Sequence, residues 1–412
     1  MDVNQPLALL AGLSPAQFMG RHWQKKPLLV RQAIPGFVPF LSRAALVKMA
    51  AQEQVESRLI VWQDKSWTLK NGPIAPKTLP PLAQEGWSLL VQGVDLYEPA
   101  GHALLQQFRF IPDARMDDLM VSFATPGGGV GPHFDSYDVF LFQASGRRRW
   151  KISKQKNFAL QQGVPLKILQ NFQAEEEFVL EAGDMLYLPP RYAHDGTAEA
   201  CVGSNGKSAD CMTYSIGFRC PAQTELASEL LHRLAEIGED AAQSAAEEKT
   251  GARAVSPSMY CDPEQPATST PAAMPTGLAA FAAKAVLEAL KDPIALACAL
   301  GEYMTEPKPG VWFDEPLQPW NGDAVKTGQS AIVLDARTRM MYDADHVFIN
   351  GDSYRAKGAD ARLMHRLADQ RRLDMPELRK AGAGAAKLLG DWHEVGWLQQ
   401  AWLDAPGQKP RQ

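Results

Sequence analysis

Along the first half of the chain, apolar residues fall into short alternating or continuous runs punctuated by glycine and proline, the pattern of β-strands. Tyr137–Phe142, the small-residue turn Ala144-Ser145-Gly146 and Arg147–Ile152 together predict a β-hairpin. Upstream, Thr125-Pro126-Gly127-Gly128-Gly129 predicts a flexible loop leading into it. Glu181-Ala182-Gly183-Asp184 predicts a turn into the strand Met185–Leu188, which Pro189-Pro190 stops. The stretch from Glu175 to Phe218 holds the closing strands, interrupted by Cys201–Asp210, a polar, glycine-bearing segment that predicts a solvent loop. Before these strands, Ser14-Pro15-Ala16-Gln17 predicts a helix start, with Ser14 as cap and Pro15 in the first turn.

From Gln223 the period changes. Leu226, Leu230, Leu231, Leu234 and Ile237 recur at three- and four-residue steps, which predicts a helix. Residues 241–276, rich in Ala, Ser, Pro, Thr and Glu, predict a long connection with little core of its own. A second helix spans Leu278–Leu290, and Asp292-Pro293 starts a third that ends near Met304. Their apolar stripes need a cover, either the preceding strands or a second copy of the chain. Pro307-Lys308-Pro309-Gly310 marks a further boundary. The tail predicts strands at Ser330–Asp335, Met340–Tyr342 and His346–Ile349, a turn at Asn350-Gly351-Asp352, and helices near 359–370 and 376–390. Three segments follow: 1–220, 221–305 and 306–412.

A chain of 412 residues is too long for one compact core, so two or three domains are expected. A net charge of −5, and fifteen acidic against fifteen basic residues in 306–412, exclude the basic excess of a nucleic-acid binder. The first residues lack the basic and apolar regions of a secretion signal. No apolar run reaches the roughly 20 residues of a membrane span. A soluble cytoplasmic protein without membrane contact is expected. Five cysteines (201, 211, 220, 261, 298) show no metal-binding spacing and read as reduced thiols.

The chemistry concentrates in Gly-Val-Gly-Pro-His-Phe-Asp (129–135). His133 and Asp135 lie two apart, and in an extended strand two such side chains share a face. With His194, about sixty residues on, they make a 2-His-1-carboxylate set, which holds Fe(II) on one face and leaves the other face open. Gly-Asp, a short apolar strand, proline, then histidine is how cupin barrels present a last ligand. The two strands would then face each other across a small barrel. Arg148, the middle arginine of Gly-Arg-Arg-Arg-Trp, falls on the opposite face from Arg147 and Arg149. Its planar guanidinium suits a carboxylate.

With these neighbours, "GGGVGPHFDSYDVFLFQASGRRRWKIS" and "GDMLYLPPRYAHDG" resemble the Jumonji-C ribosomal oxygenases of the bacterial arginine-hydroxylase branch. So do "HWQKKPLLVRQA" (22–33), "WSLLVQGVDLYEP" (87–99), "DDLMVSFATPGG" (117–128) and "MTYSIGFRCP" (212–221). The resemblance covers about 15–305 well and the tail more loosely. It implies an α+β protein: a double-stranded β-helix catalytic domain (1–220), a helical dimerisation module (221–305) and a winged-helix-like domain (306–412). It implies Fe(II) on His133, Asp135 and His194, with 2-oxoglutarate as cosubstrate held by Arg148 and Ser122. It also implies a homodimer acting on an arginine β-carbon of large-subunit ribosomal protein sixteen. A guanidinium substrate needs an anion and a stacking ring, so Asp118 and Tyr137 are candidate substrate contacts, with Ser215 a weaker one.

The other histidines (22, 102, 232, 346, 365, 393) have no carboxylate at ligand spacing and read as surface or boundary residues. Trp87 and Trp150 read as core. Tyr137 reads equally as a cosubstrate contact or packing, and Asp118 as a turn cap. Two functional alternatives stand beside arginine hydroxylation: a histidine-directed oxygenase, or a cupin scaffold whose metal is only structural. A scaffold has no use for a buried guanidinium facing the metal, and a histidine substrate has none for Asp118.

Overall fold

The computed structural model describes residues 2–202, 209–247, 259–263, 272–322 and 330–402. The chain divides into two compact units, Met1–Cys220 and Pro221–Gln412.

In the first unit the elements run α1 (Pro15–Arg21), β1 (Leu28–Val30), α2 (Arg43–Ala50), β2 (Ser57–Gln63), β3 (Ser66–Asn71), β4 (Trp87–Val91), α3 (Pro99–Gln106), β5 (Met116–Ala124), β6 (Asp138–Ser145), β7 (Arg147–Ser153), β8 (Glu176–Leu180), β9 (Met185–Leu188), β10 (Ala193–Glu199) and β11 (Cys211–Phe218). Ser14 caps α1 as expected: its hydroxyl accepts from Gln17 N–H at 3.2 Å, and Gln17 Oε1 accepts from Ser14 N–H at 3.0 Å.

The strands form an eight-stranded sheet, β1-β9-β6-β11-β5-β4-β2-β3, and a three-stranded sheet, β10-β7-β8. The predicted hairpin does not form. β6 pairs with β9 and β11, whereas β7 pairs with β10 and β8. Gly146, at φ +68°, carries the chain between sheets, and a Cβ there would lie 2.7 Å from the Asp210 carbonyl oxygen. The reason is burial. β6 is buried at seven of its eight residues, so it needs covered faces and two flanking strands. β7 alternates between buried and half-exposed positions over its first six residues.

Alternation along the large sheet assigns its two faces. Leu89 and Val91 of β4, Val121 and Phe123 of β5, Phe140 and Phe142 of β6, and Tyr214 and Ile216 of β11 join one core with Phe18 of α1, Leu46 of α2 and Leu104 of α3. Phe140 alone meets rings of Phe18, Phe108, Tyr187 and Phe218 within 5.7 Å. The other face, with Val139 and Leu141, meets Trp150, Ile152 and Leu180 of the small sheet. Between the sheets lies the cavity described below.

The glycine loop is a close-fitting passage, not the flexible approach the sequence suggested. A Cβ on Gly128 would stand 2.3 Å from the Trp87 carbonyl oxygen, and one on Gly129 2.4 Å from that of Gly196. Gly127 N–H donates to the Ala198 carbonyl and Ala198 N–H to that of Gly128, both at 2.9 Å. Glycine is required because backbone passes against backbone. Gly129→Ala is expected to lower stability by about 1–3 kcal/mol, the usual cost of overpacking. A urea midpoint equal to wild type would refute this.

The second unit contains α4 (Gln223–Glu247), α5 (Thr276–Ala289), α6 (Pro293–Thr305), β12 (Ser330–Leu334), β13 (Met340–Tyr342), β14 (His346–Ile349), β15 (Asp352–Arg355), α7 (Gly358–Gln370), β16 (Arg372–Leu373), α8 (Met375–Leu378), α9 (Ala383–Glu394) and β17 (Leu398–Trp402). α4 runs on to Glu247, seven residues into the expected connection. Of that connection, 248–258 and 264–271 lie outside the described residues, as do 203–208 of the expected solvent loop. In the α4 stripe Leu234 is buried and Leu231 exposed; the side chain of Ile237 lies outside the described residues. The single helix expected over 376–390 is two: α8 ends at Leu378 and α9 starts at Ala383, after Gly382, whose N–H donates to Asp360 at 2.8 Å.

β15, β16 and β17 were not legible as strands. They complete two three-stranded sheets, β16-β12-β17 and β13-β14-β15. Ile332, Leu363, Leu367, Leu389 and Trp392 form the core between them and the helices. His346 and His393, expected at the surface or the boundary, are buried, and burial pushes the His393 pKa down.

Candidate metal centre

His194 is the second residue of β10, and His133 lies directly against it. Each backbone N–H donates to the other's carbonyl, at 2.9 Å from His133 and 2.8 Å from His194. The two ligands are therefore neighbours on one sheet edge, where the sequence suggested opposite walls of the barrel. Nor does a strand carry 133–135. Pro132 has no N–H to extend a ladder, and the Asp135 carbonyl accepts from Arg191 N–H at 2.7 Å, which turns the chain away.

The side chains still converge. The donor atoms of His133, Asp135 and His194 all lie within 4.8 Å of one another. His194 Nε2 stands 3.6 Å from Asp135 Oδ2, within the span of two donors each about 2.1 Å from one ion. Both imidazoles are oriented from behind: His133 Nδ1 meets the Gly131 carbonyl at 2.8 Å, and His194 Nδ1 meets that of Tyr192 at 2.9 Å. A carbonyl only accepts, so each Nδ1 carries the proton and each Nε2 offers its lone pair to the centre. Burial, reinforced by His133, pushes the His194 pKa down to about 4, against the pull of Asp135. The His194–Asp135 approach is thus two donors facing one point, not an ion pair. Among the described residues no other cluster could hold a metal.

The three donors line a cavity of about 570 Å³. Its floor comes from the inner faces of the strands: Ser88 and Leu90 of β4, Met120 and Ser122 of β5, Leu141 of β6, Ser215 of β11, and Arg148 and Trp150 of β7. Arg148 is 5% exposed, and its Nε and one terminal nitrogen have no hydrogen-bond partner among the described residues. Its guanidinium carbon lies 5.7 Å from the Trp150 ring centre. That ring lies 5.7 Å from His194. A buried cation with unused donors is costly unless an anion completes it. Arg147 and Arg149 point outward, Arg147 to Glu181 and Glu199 and Arg149 to Glu177 and Glu199.

Of the remaining sequence candidates, Ser122, Ser215 and Tyr137 line the cavity. Ser122 Oγ stands 3.5 Å from the Thr213 carbonyl. Burial raises the Tyr137 pKa far above its ordinary value, with Asp135, Asp118 and Asp117 adding to it, so the phenol stays protonated. Asp118 departs from expectation. It shares the inward face of β5 with Met120 and Ser122, yet it does not line the cavity; it is buried and accepts from Gly93 N–H at 3.1 Å. Sequence reasoning missed Ser88, whose buried hydroxyl has no partner among the described residues. The signal was a lone polar residue inside the apolar run Trp87–Val91.

The JmjC domain profile matches residues 103–226, and a ROXA-like winged-helix profile matches 288–399. The chain is 32% identical over 342 residues to ribosomal protein uL16 3-hydroxylase of Escherichia coli, covering 81% of this chain and 84% of that protein. An X-ray structure of E. coli YcfD superposes with a TM-score of 0.75 at 30% identity, covering 94% of this chain and 98% of that one. A structure of the E. coli ribosomal oxygenase YcfD in complex with cobalt and 2-oxoglutarate superposes at 0.71, with the same identity and coverage.

Proposed function

The chain belongs to the JmjC ribosomal oxygenases, and from that premise we propose that it is an Fe(II)- and 2-oxoglutarate-dependent hydroxylase of large-subunit ribosomal protein uL16, acting on the β-carbon of an arginine. One observation carries the reading: Arg148, buried and with two nitrogens left without a partner among the described residues, lines the same cavity as the His133, Asp135 and His194 donors. A metal site of structural purpose alone would not bury an uncompensated guanidinium beside it.

The residues present suit both absent groups. His133, Asp135 and His194 would hold the iron, and Arg148 would clasp the far carboxylate of 2-oxoglutarate through two parallel N–H bonds, with the Ser122 hydroxyl as a further donor. Bound together with dioxygen, they supply the oxidising power to hydroxylate an unactivated C–H bond, 2-oxoglutarate leaving as succinate and carbon dioxide. The protein's own part is placement. Trp150 and Leu141 exclude water, and the two backed imidazoles keep their lone pairs aimed inward.

Tyr137 presents a neutral ring at the cavity, with Ser215 beside β5, and Asp118 puts a buried carboxylate near Tyr137. Tyr137 offers a guanidinium its stacking face, and Asp118, although it does not line the cavity, adds negative charge beside that ring. A histidine target would use neither. Because Asp118 also holds Gly93 N–H, truncation to alanine would confound recognition with folding. Asp118→Asn keeps an oxygen for Gly93 and removes the charge. The ratio of peptide-coupled to uncoupled succinate is expected to fall at least about tenfold, the lower end for loss of a charged partner. An unchanged ratio would place arginine recognition elsewhere.

The family's ribosomal substrate supports a cytoplasmic location. The exposed Leu287 of α5, Leu290 just past its end and Ile294 of α6 support closure of the helical module by a second copy. With its balanced charge, the winged-helix domain suits protein contact better than nucleic acid. Mass spectrometry of uL16 incubated with the protein, Fe(II) and 2-oxoglutarate tests the whole reading. A gain of one oxygen on an arginine is expected, and unmodified uL16 would overturn it.

A further inference from the structure

Between β7 and β8 the chain runs from 154 to 175 without helix or strand, tied internally by the Leu160–Leu169 bridge and by the Gln173 N–H bond to Gln155 Oε1 at 3.2 Å. Pro165, Leu166, Lys167 and Ile168 of this segment line the cavity, so it forms one wall of the entrance. A wall of irregular backbone needs an external fastening. One is the Leu169 N–H bond to the Pro132 carbonyl at 2.8 Å. The other is aromatic: Phe158 packs on Phe134, which lies between the two metal-site residues 133 and 135, at 4.4 Å between ring centres. Over both rings lies Arg191, its guanidinium carbon 4.7 Å from the Phe158 centre and 5.8 Å from that of Phe134.

Arg191 stands where an arginine is disfavoured. Tyr192 N–H closes a tight turn on the Pro189 carbonyl at 3.3 Å, and Arg191, at its third position, has φ +61°. That position normally takes glycine or asparagine, because a Cβ crowds the backbone there. Among the described residues its guanidinium has no carboxylate within 4 Å, so no ion pair accounts for it. The two aromatic faces are what the side chain gains. Its backbone N–H meanwhile holds the Asp135 carbonyl, so one residue fastens both the metal loop and the entrance wall.

We propose that Arg191 is a positioning residue that clamps the 154–175 wall onto the metal-ligand loop, and that this wall is the surface on which the target polypeptide seats. The second half rests on the polypeptide hydroxylase reading above.

Arg191→Gly tests it without endangering the fold, since glycine suits the turn and keeps the N–H bonded to Asp135. Hydrogen exchange on the metal-free protein reads the clamp directly. The amides of Gln161, Leu169 and Gln170, which bond to Ile168, Pro132 and Ala159 carbonyls, are expected to exchange about threefold to thirtyfold faster, the range of one to two cation–aromatic contacts. Those of Tyr214 and Ile216 in β11 should not change. Arg191→Lys, which keeps a cation over the rings, should fall between. In turnover, KM for the uL16 polypeptide should rise by a similar factor and by more than KM for 2-oxoglutarate. Unchanged wall exchange, or equal acceleration in β11, overturns the clamp. A loosened wall with KM for the polypeptide unchanged overturns its role as the seat. Exchange needs neither metal nor substrate. A wild-type chain that hydroxylates no ribosomal protein would therefore sink the functional reading, while the clamp is still decided.

Discussion

His133→Ala and Asp135→Ala are each expected to abolish succinate formation from 2-oxoglutarate and to remove saturable binding of Fe(II) or Co(II). The donor set is minimal: three protein ligands, all within 4.8 Å of one another, and no further metal-binding cluster among the described residues. Losing even an outer partner of a ligand typically weakens a metal site about 10–100-fold, and losing a ligand outright should exceed that. The imidazole at 133 also packs against that of His194, 4.2 Å between ring centres and tilted by 60°. A folding control is therefore needed, and the thermal midpoint of the metal-free variants should stay close to wild type. Wild-type turnover in either variant would refute the assignment. Loss of turnover with intact metal binding would move the role of that residue from ligand to something else.

How much of this was legible in the sequence depends on whether the information was local. The three donors could be read because a His-x-Asp pair and a proline-flanked histidine are patterns within a few residues. The outward turn of Arg147 and Arg149 could be read because alternation is a property of a single strand. Sheet partners are not local. Nothing between Tyr137 and Ile152 says that β6 and β7 part at Gly146 into different sheets, and the nearest sequence rule favours a hairpin. The same failure placed His133 and His194 across a barrel, when their backbones bond directly. The glycines of 127–129 were read as flexibility because their true cause, the carbonyls of Trp87 and Gly196 pressed against Gly128 and Gly129, lies 41 and 67 residues away in the chain. Asp118 was read as a substrate contact or a turn cap, and its bond to Gly93 could not be foreseen. Arg191 was invisible, since nothing in Pro-Pro-Arg-Tyr announces a positive φ or two distant phenylalanine rings.

Arg148→Ala is expected to raise the 2-oxoglutarate concentration needed for half-maximal turnover by roughly tenfold to over a hundredfold, and Arg147→Ala to change it little. The contrast follows from burial. Arg148 is 5% exposed, with Nε and a terminal nitrogen unused, so a carboxylate brought to it forms charge-assisted bonds sheltered from water, each worth about 1.5–3 kcal/mol. Arg147 has a side chain 42% exposed and reaches Glu199 at 3.5 Å and Glu181 at 3.7 Å; such surface pairs contribute about 0–1 kcal/mol. Arg148→Lys sharpens the test. An ammonium retains the charge but not the planar fork, so affinity should recover only in part. Full recovery would mean that charge alone matters at this end of the cavity. Equal losses at 147 and 148 would mean that both act through the shared strand β7 rather than through the cosubstrate. An Arg148 variant with unaltered 2-oxoglutarate dependence would leave the buried guanidinium without an anion and remove the strongest support for the oxygenase reading.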